Sequence, residues 1–130
     1  SSITVEVTGS GQRVRAGATL FGNNMPRLIS LDDCRLEAYL DGRMFFFIHR
    51  DVPGIIGQVG TIFGKHNVNI AQMSVGRQST QPGGDAIGVL NLDSTPPQEA
   101  LQALTGISAI TKVRMVELPD AGELPVWLTS

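Results

Sequence analysis

Between Met44 and Lys65 the chain specifies a strand and a helix with very little connector. "MFFFIHR", residues 44–50, is a short apolar run closed by charge, the pattern of a buried central strand. Val52-Pro53-Gly54 then breaks it, and proline is favourable near a helix start. Ile55, Ile56, Val59, Ile62 and Phe63 recur at helical spacing, giving one apolar face over 54–65. Gly57, Gly60 and Gly64 fall on another face, which leaves room for a close approach. Each of these glycines costs up to roughly 1 kcal/mol of helix stability against alanine, so the helix depends on tertiary packing.

The segments that follow complete a pattern. "NVNIAQMSVGR" reads as a strand in which Val68 and Ile70 alternate before Met73 and Val75 take the opposite phase. That slip predicts a bulge near Ala71 or Gln72. "QSTQPGG" is a hairpin loop, and "DAIGVLNLD" is a strand apolar on both faces near its middle. Thr95 is the expected cap of a second helix, with Pro96 at its first position, Ala100, Leu101 and Leu104 inside, and Gly106 as the stop. "AITKVRMVEL" is the last strand. The order is βαββαβ, an α+β, ferredoxin-like arrangement with two helices on one face of a four-stranded antiparallel sheet.

Residues 1–43 have a different texture. "ITVEV", "RVRAGATLFG", "RLISLDD" and "RLEAYLDG" read as strands joined by turns, the last closed by Asp41-Gly42. The expected organisation is a small β-rich segment over 1–43, an α+β domain over 44–118 and a tail over 119–130 whose lone Trp127 is expected to anchor on a partner.

Composition narrows the function classes. With 10 basic and 12 acidic residues the formal charge is −2, which offers no electrostatic case for a nucleic-acid or anionic-membrane partner. The single cysteine, Cys34, excludes an internal disulfide and a multi-cysteine metal site. No apolar run approaches the roughly 20 residues of a membrane span. The chain opens Ser-Ser, so the expectation is a piece of a longer, reduced, cytoplasmic protein.

No catalytic constellation is visible. There is no GxSxG elbow, and the Asp32-Asp33 pair reads as a turn. Gly9-Ser10-Gly11 is a turn without the helix that a dinucleotide site requires, so no cofactor is expected in this segment. An RNA-recognition module shares the βαββαβ order but stacks bases on aromatic residues of its third strand, and "DAIGVLNLD" has none. A metal-carrying version needs CxxC after strand one, where this chain has "HRDVPG".

A small-molecule sensor fits better. The loop His49–Gly54 ends at a helix N-terminus, whose free N–H groups favour a carboxylate. Asp51 is either an acceptor for an ammonium group or a helix cap. Asn69 is either a ligand contact or the end of a turn, and spacing does not choose.

"DVPGIIGQVGTIFGKHNVNIAQMSVGR" resembles the ACT domain, a βαββαβ regulatory module that binds amino acids. The resemblance runs from about Met44 to Leu118. The preceding "GATLFGNNMPRLISLDDCRLEAYLDG" resembles the end of the intervening regulatory domain in the long-form D-3-phosphoglycerate dehydrogenase family. Iron–sulfur L-serine dehydratases carry a similar tandem and are one alternative parent, and another ACT-type small-molecule sensor is the other alternative. The resemblance implies an L-serine or similar amino-acid site lined by His49, Asp51 and the Pro53-Gly54-Ile55 backbone. Asn69, with Ile70 beside it, would complete that site from a neighbouring subunit. It also implies a homodimer, an NAD-dependent parent whose catalytic domains are partners of this segment, and feedback control by the effector. Arg27, in "NNMPRLIS", sits where the family holds a phosphate-bearing ligand, with Arg13 and Arg15 as expected helpers. Asn67 is expected to be a turn residue.

Overall fold

The computed structural model describes residues 2–9, 11–21, 25–78 and 83–119. Trp127 and the tail from residue 120 lie outside the described residues, and with them the expectation that Trp127 anchors a partner. Ten elements are described: β1 (Ser2–Gly9), β2 (Gln12–Phe21), β3 (Met25–Leu31), β4 (Cys34–Tyr39), β5 (Arg43–Arg50), α1 (Ile55–Lys65), β6 (Ile70–Arg77), β7 (Asp85–Leu92), α2 (Gln98–Thr105) and β8 (Ile110–Glu117).

The strands form two four-stranded antiparallel sheets. β1-β2-β3-β4 is a meander, and β6-β7-β5-β8 has the ferredoxin-like order. The turns follow from residue chemistry. Gly11 and Gly42 have positive φ, and so do the non-glycine residues Asp32 and Asn67. Asp and Asn tolerate the left-handed region because their short polar side chains bond locally. Asn67 is therefore a turn residue. The phase slip read in the sequence is a register shift between Ile70 and Gln72, with Ala71 as the extra residue.

Two apolar clusters sandwich the second sheet. On the helix side, Phe45, Phe47, Leu90 and Ile110 meet Ile55, Val59, Phe63 and Leu104. Phe63 sets its ring edge-on to Phe45, with centroids 5.2 Å apart. On the opposite face, Met44, Ile87 and Val89 meet Leu28, Cys34 and Ala38 of the first sheet. β7 is thus buried on both faces, the reason its sequence is apolar from Ala86 to Leu90. Among these buried side chains lies Asn91, whose Nδ2 donates to the Tyr39 carbonyl at 2.8 Å. Its Oδ1 accepts from the Tyr39 N–H at 3.2 Å, so one buried amide stitches β7 to β4.

The second helix starts later than the sequence suggested. Pro97 is its N-cap, extended at φ −69° and ψ 159°, and no side chain caps it. Consecutive prolines explain the shift, because a residue before proline is pushed out of the helical region. Thr95 instead accepts from Arg43 Nε at 3.1 Å and donates to Glu117 Oε1 at 3.2 Å. Gly106 ends the helix as expected, in a right-handed conformation. Among the described residues, no helix is long and apolar enough to cross a membrane.

Candidate functional site

β5 delivers His49, Arg50 and Asp51 to one end of the second sheet. Alternation along β5 puts His49 on the same face as Phe45 and Phe47, and its ring stacks on Phe47 with centroids 5.1 Å apart. His49 is only 2% exposed, so it is a core side chain at the edge of the loop. Its Nδ1 lies 2.8 Å from the Arg50 carbonyl. A carbonyl can only accept, so Nδ1 carries the proton. In the neutral ring Nε2 is then a bare acceptor, buried and without a hydrogen-bond partner.

The backbone after β5 is tied down. Arg50 N–H donates to Ala109 O at 2.9 Å, and Asp51 N–H donates to Gly84 O at 2.8 Å. Asp51 O accepts from Gly83 N–H at 3.1 Å. Gly83 sits at φ +98°, a conformation that favours glycine. The loop is thereby fastened to the β6–β7 hairpin and to the chain entering β8.

α1 begins at Ile55 behind Gly54, which caps it at φ +90° with no side-chain hydrogen bond. Asp51 therefore does not cap the helix. The first-turn N–H groups of α1 are left for an outside acceptor, and they favour an anion. Pro53 and Gly54 are exposed, while Ile55 turns inward to the core. Asp51 faces Arg77 instead, with its Oδ2 2.6 Å from Arg77 Nε. The N–H points off that line, so the contact is an ion pair rather than a hydrogen bond. Nothing in the sequence pattern marked Arg77. Its only signal was a cation closing β6, as Arg50 closes β5.

Asn69 is not part of this cluster within one chain. Its Nδ2 donates to Asp93 Oδ2 at 2.7 Å, and its carbonyl accepts from Asp93 N–H at 3.1 Å. Ile70 lies beside it, half-buried against the helix-side cluster and paired with Leu92. Arg50 pairs with Asp85 at the other end of β7, seven residues from Leu92. At ~3.3 Å per residue the two groups stand about 23 Å apart along the sheet.

The glycine face of α1 is open. A Cβ built on Gly57, Gly60 or Gly64 meets nothing within 4 Å. His66 follows the helix, half-buried rather than fully solvated, and its Nδ1 donates to the Ile62 carbonyl at 2.9 Å. Cys34 is buried at 1% exposure in the cluster between the sheets. Burial, aided by Asp32, Asp33 and Asp85, raises its thiol above the ordinary value, which disfavours the thiolate.

Arg27 lies on β3 opposite Tyr39, stacks 4.4 Å over the Tyr39 ring and donates to Glu37 Oε1 at 3.0 Å. Arg15 and Arg13 do not converge on it. Arg27 pairs with Thr19 across β2, four residues beyond Arg15. Arg15 is held by Asp33 at 3.0 Å, and Arg13 lies 3.8 Å from Glu6.

With this geometry in place, the comparison with known proteins is direct. The sequence profile of the ACT domain matches residues 43–109. The chain belongs to the ACT-domain family. The ACT domain here, with the sheet before it, matches the C-terminal region of D-3-phosphoglycerate dehydrogenases. It is 36% identical over 118 residues to that of Archaeoglobus fulgidus, covering 91% of this chain and 22% of the relative. It is 36% identical over 117 residues to that of Synechocystis sp., covering 90% and 21%. It is 32% identical over 117 residues to that of Bacillus subtilis, covering 90% and 22%. The chain therefore spans about a fifth of the length of these relatives.

Proposed function

We propose that this chain is the amino-acid-sensing regulatory part of an NAD-dependent D-3-phosphoglycerate dehydrogenase, with L-serine as the effector. Residues 1–43 are then the end of an intervening regulatory domain, residues 44–118 the ACT domain and residues 119–130 a tail. The parent is a cytoplasmic enzyme of serine synthesis, and this segment conveys feedback control to its catalytic domains.

The observation that carries the reading is the pairing of an uncapped helix N-terminus with the Asp51 carboxylate in one loop. The two ends of a free amino acid need those two groups: N–H donors for the carboxylate, a carboxylate for the ammonium. His49 Nε2 supplies an acceptor beside them for a ligand hydroxyl or ammonium donor. Asn69 is too far along the sheet to join from the same chain, so a second subunit supplies it, and the effector site is also a dimer contact. The open glycine face of α1 and the exposed Met73 and Val75 on β6 offer surface for that contact. Arg27 is the residue proposed for an anion site on the first sheet, reached by exchange of Glu37 for a phosphate group.

Calorimetric titration with the common amino acids tests the reading, alongside sedimentation with and without L-serine. Selective binding of L-serine with strengthened dimerisation is the expected result. No heat with any amino acid, or a dimer constant unmoved by L-serine, would sink it.

A further inference from the structure

Arg77 closes β6 where the effector loop, the β6–β7 hairpin and the first sheet meet. Its Nε makes the off-line ion contact with Asp51 Oδ2 at 2.6 Å. The Arg77 side chain is 51% exposed, whereas that of Asp51 is only 16% exposed. Asp51 Oδ2 receives no hydrogen bond. A covered carboxylate in that position requires a cation close by, because its own hydration is lost. On the other side, Arg77 lines an open cleft between β4 and the end of β6, whose charged wall also includes Asp33, Arg35 and Glu37. Directly before Arg77, Gly76 lets the β4 backbone approach: a Cβ there would lie 2.7 Å from the Arg35 carbonyl oxygen.

We propose that Arg77 is the internal competitor for the ligand's ammonium group at Asp51, a proposal that rests on amino-acid binding at this loop. Asp51 then has a cation in both states: the guanidinium without ligand, the ammonium with it. The contact suits that exchange. It is bent, half-exposed and supported by charge alone, so it is held weakly enough to yield. A ligand lacking a cationic group cannot take Arg77's place, so the Asp51 carboxylate sets the preference for amino acids over hydroxy acids of the same shape and Arg77 tempers their affinity. The displaced guanidinium turns to the open cleft and its solvent, since Asp33 and Glu37 on that wall are already paired with Arg15 and Arg27, and ligand occupancy changes the charge facing the first sheet.

The test is Arg77→Ala and Arg77→Lys in the intact polypeptide that carries this chain, with L-serine and glycerate as probes in calorimetry. Arg77→Ala is expected to tighten L-serine by about 2- to 5-fold, the range of a half-exposed ion pair. Glycerate, which has no ammonium to place at Asp51, is expected to gain no more than L-serine does, so discrimination against it does not narrow, while Arg77→Lys stays near wild type. In an Asp51→Asn background the gain from Arg77→Ala is expected to vanish. Wild-type binding that Arg77→Ala leaves unchanged or weakens overturns the competitor role and leaves amino-acid binding standing. Failure of wild type and Arg77→Ala alike to bind any common amino acid overturns both. A second readout needs no variant: the Arg77 Nε–H resonance of the labelled wild-type protein. L-serine is expected to move it to the position of a solvated guanidinium, and a resonance unmoved at saturation overturns the proposal.

Discussion

Replacing Gly88 by alanine places a methyl group inside the ring of Phe47. Gly88 pairs with Phe47 across β5 and β7, and a Cβ on it would fall well inside contact distance of three ring atoms. The backbone at Gly88 is ordinary strand, so no conformational cost is involved and the penalty is steric. Phe47 cannot swing aside easily. It is 1% exposed, stacked on Phe45 at 5.8 Å on one side and on His49 at 5.1 Å on the other. Overpacking a close-fitting core in this way costs typically about 1–3 kcal/mol. For a chain of this length roughly 3–5 °C of Tm accompanies each kcal/mol, so a fall of roughly 3–15 °C is expected. Gly57→Ala is the matched contrast, because its Cβ meets nothing within 4 Å on the outer face of α1. It is expected to stabilise by up to about 1 kcal/mol through helix propensity. Thermal and urea unfolding of both variants reads the two signs. The steric account further requires that Phe47→Leu, which opens space, recover part of the loss when combined with Gly88→Ala. A Gly88→Ala protein that melts at or above wild type, or a double variant that is merely additive, would refute it.

Asn91→Leu removes both partners of the Tyr39 peptide group offered by one buried amide, and a loss of about 1–3 kcal/mol is expected in urea unfolding. Gln72 Oε1, 3.1 Å from Tyr39 N, compensates for part of the lost acceptor, so the Asn91→Leu, Gln72→Leu pair should cost more than the sum of its singles. Cys34 gives a pH dependence: its folded thiol is raised by burial first and by Asp32, Asp33 and Asp85 next, above an ordinary value of 9.0. Stability from this group is full below that value and declines as pH rises through it, because the unfolded chain ionises first. Cys34→Ala should lower stability at neutral pH and flatten this alkaline decline, measured by urea midpoints from pH 7 to 10. Asp51→Ala should abolish L-serine binding without the ~1 kcal/mol loss of a helix cap, since Asp51 does not cap α1. Asn69→Ala should weaken L-serine binding and the serine-dependent dimer together, read by calorimetry and sedimentation.

The βαββαβ order was legible because each element carries its own period. The β6 bulge was legible too, since Val68 and Ile70 fall out of phase with Met73 and Val75. The start of α2 was misread by giving Thr95 its usual role as a cap. The Pro96-Pro97 pair overrode that preference locally, and Arg43 and Glu117, both distant in sequence, claimed the hydroxyl. The loop at Asp51 was visible as a polar break between two apolar segments. Arg77 was not visible, because its pairing with Asp51 depends on how far the β6–β7 hairpin reaches beside β5. The four-residue separation of Arg15 from Arg27's partner Thr19 was likewise hidden in the β2–β3 register, which slips between Gly17 and Ala18.

β6 is the strand through which the first sheet and the loop at Asp51 touch. Glu37 N–H donates to Ser74 Oγ at 3.0 Å, and Tyr39 N–H donates to Gln72 Oε1 at 3.1 Å. These bonds use side chains on alternate residues of β6, on the face away from the helices. Met73 and Val75, at the intervening positions, are exposed. β6 thus gives Gln72, Ser74 and Gly76 to the first sheet and leaves Met73 and Val75 exposed. Its N-terminal end holds Asn69 and its C-terminal end holds Arg77 beside Asp51. A shift of the first sheet acts on β6 through Gln72, Ser74 and the bare backbone at Gly76. Rigid strand pairing with β7 keeps β6 from absorbing that shift internally, because six of its residues stay in register from Gln72 to Arg77. That register runs to Arg77 beside Asp51 at one end and breaks at Ala71, before Asn69, at the other. Allosteric coupling needs an element that both sites bias. β6 has the position for such an element: Gln72, Ser74 and Gly76 meet the first sheet, and Arg77 meets Asp51.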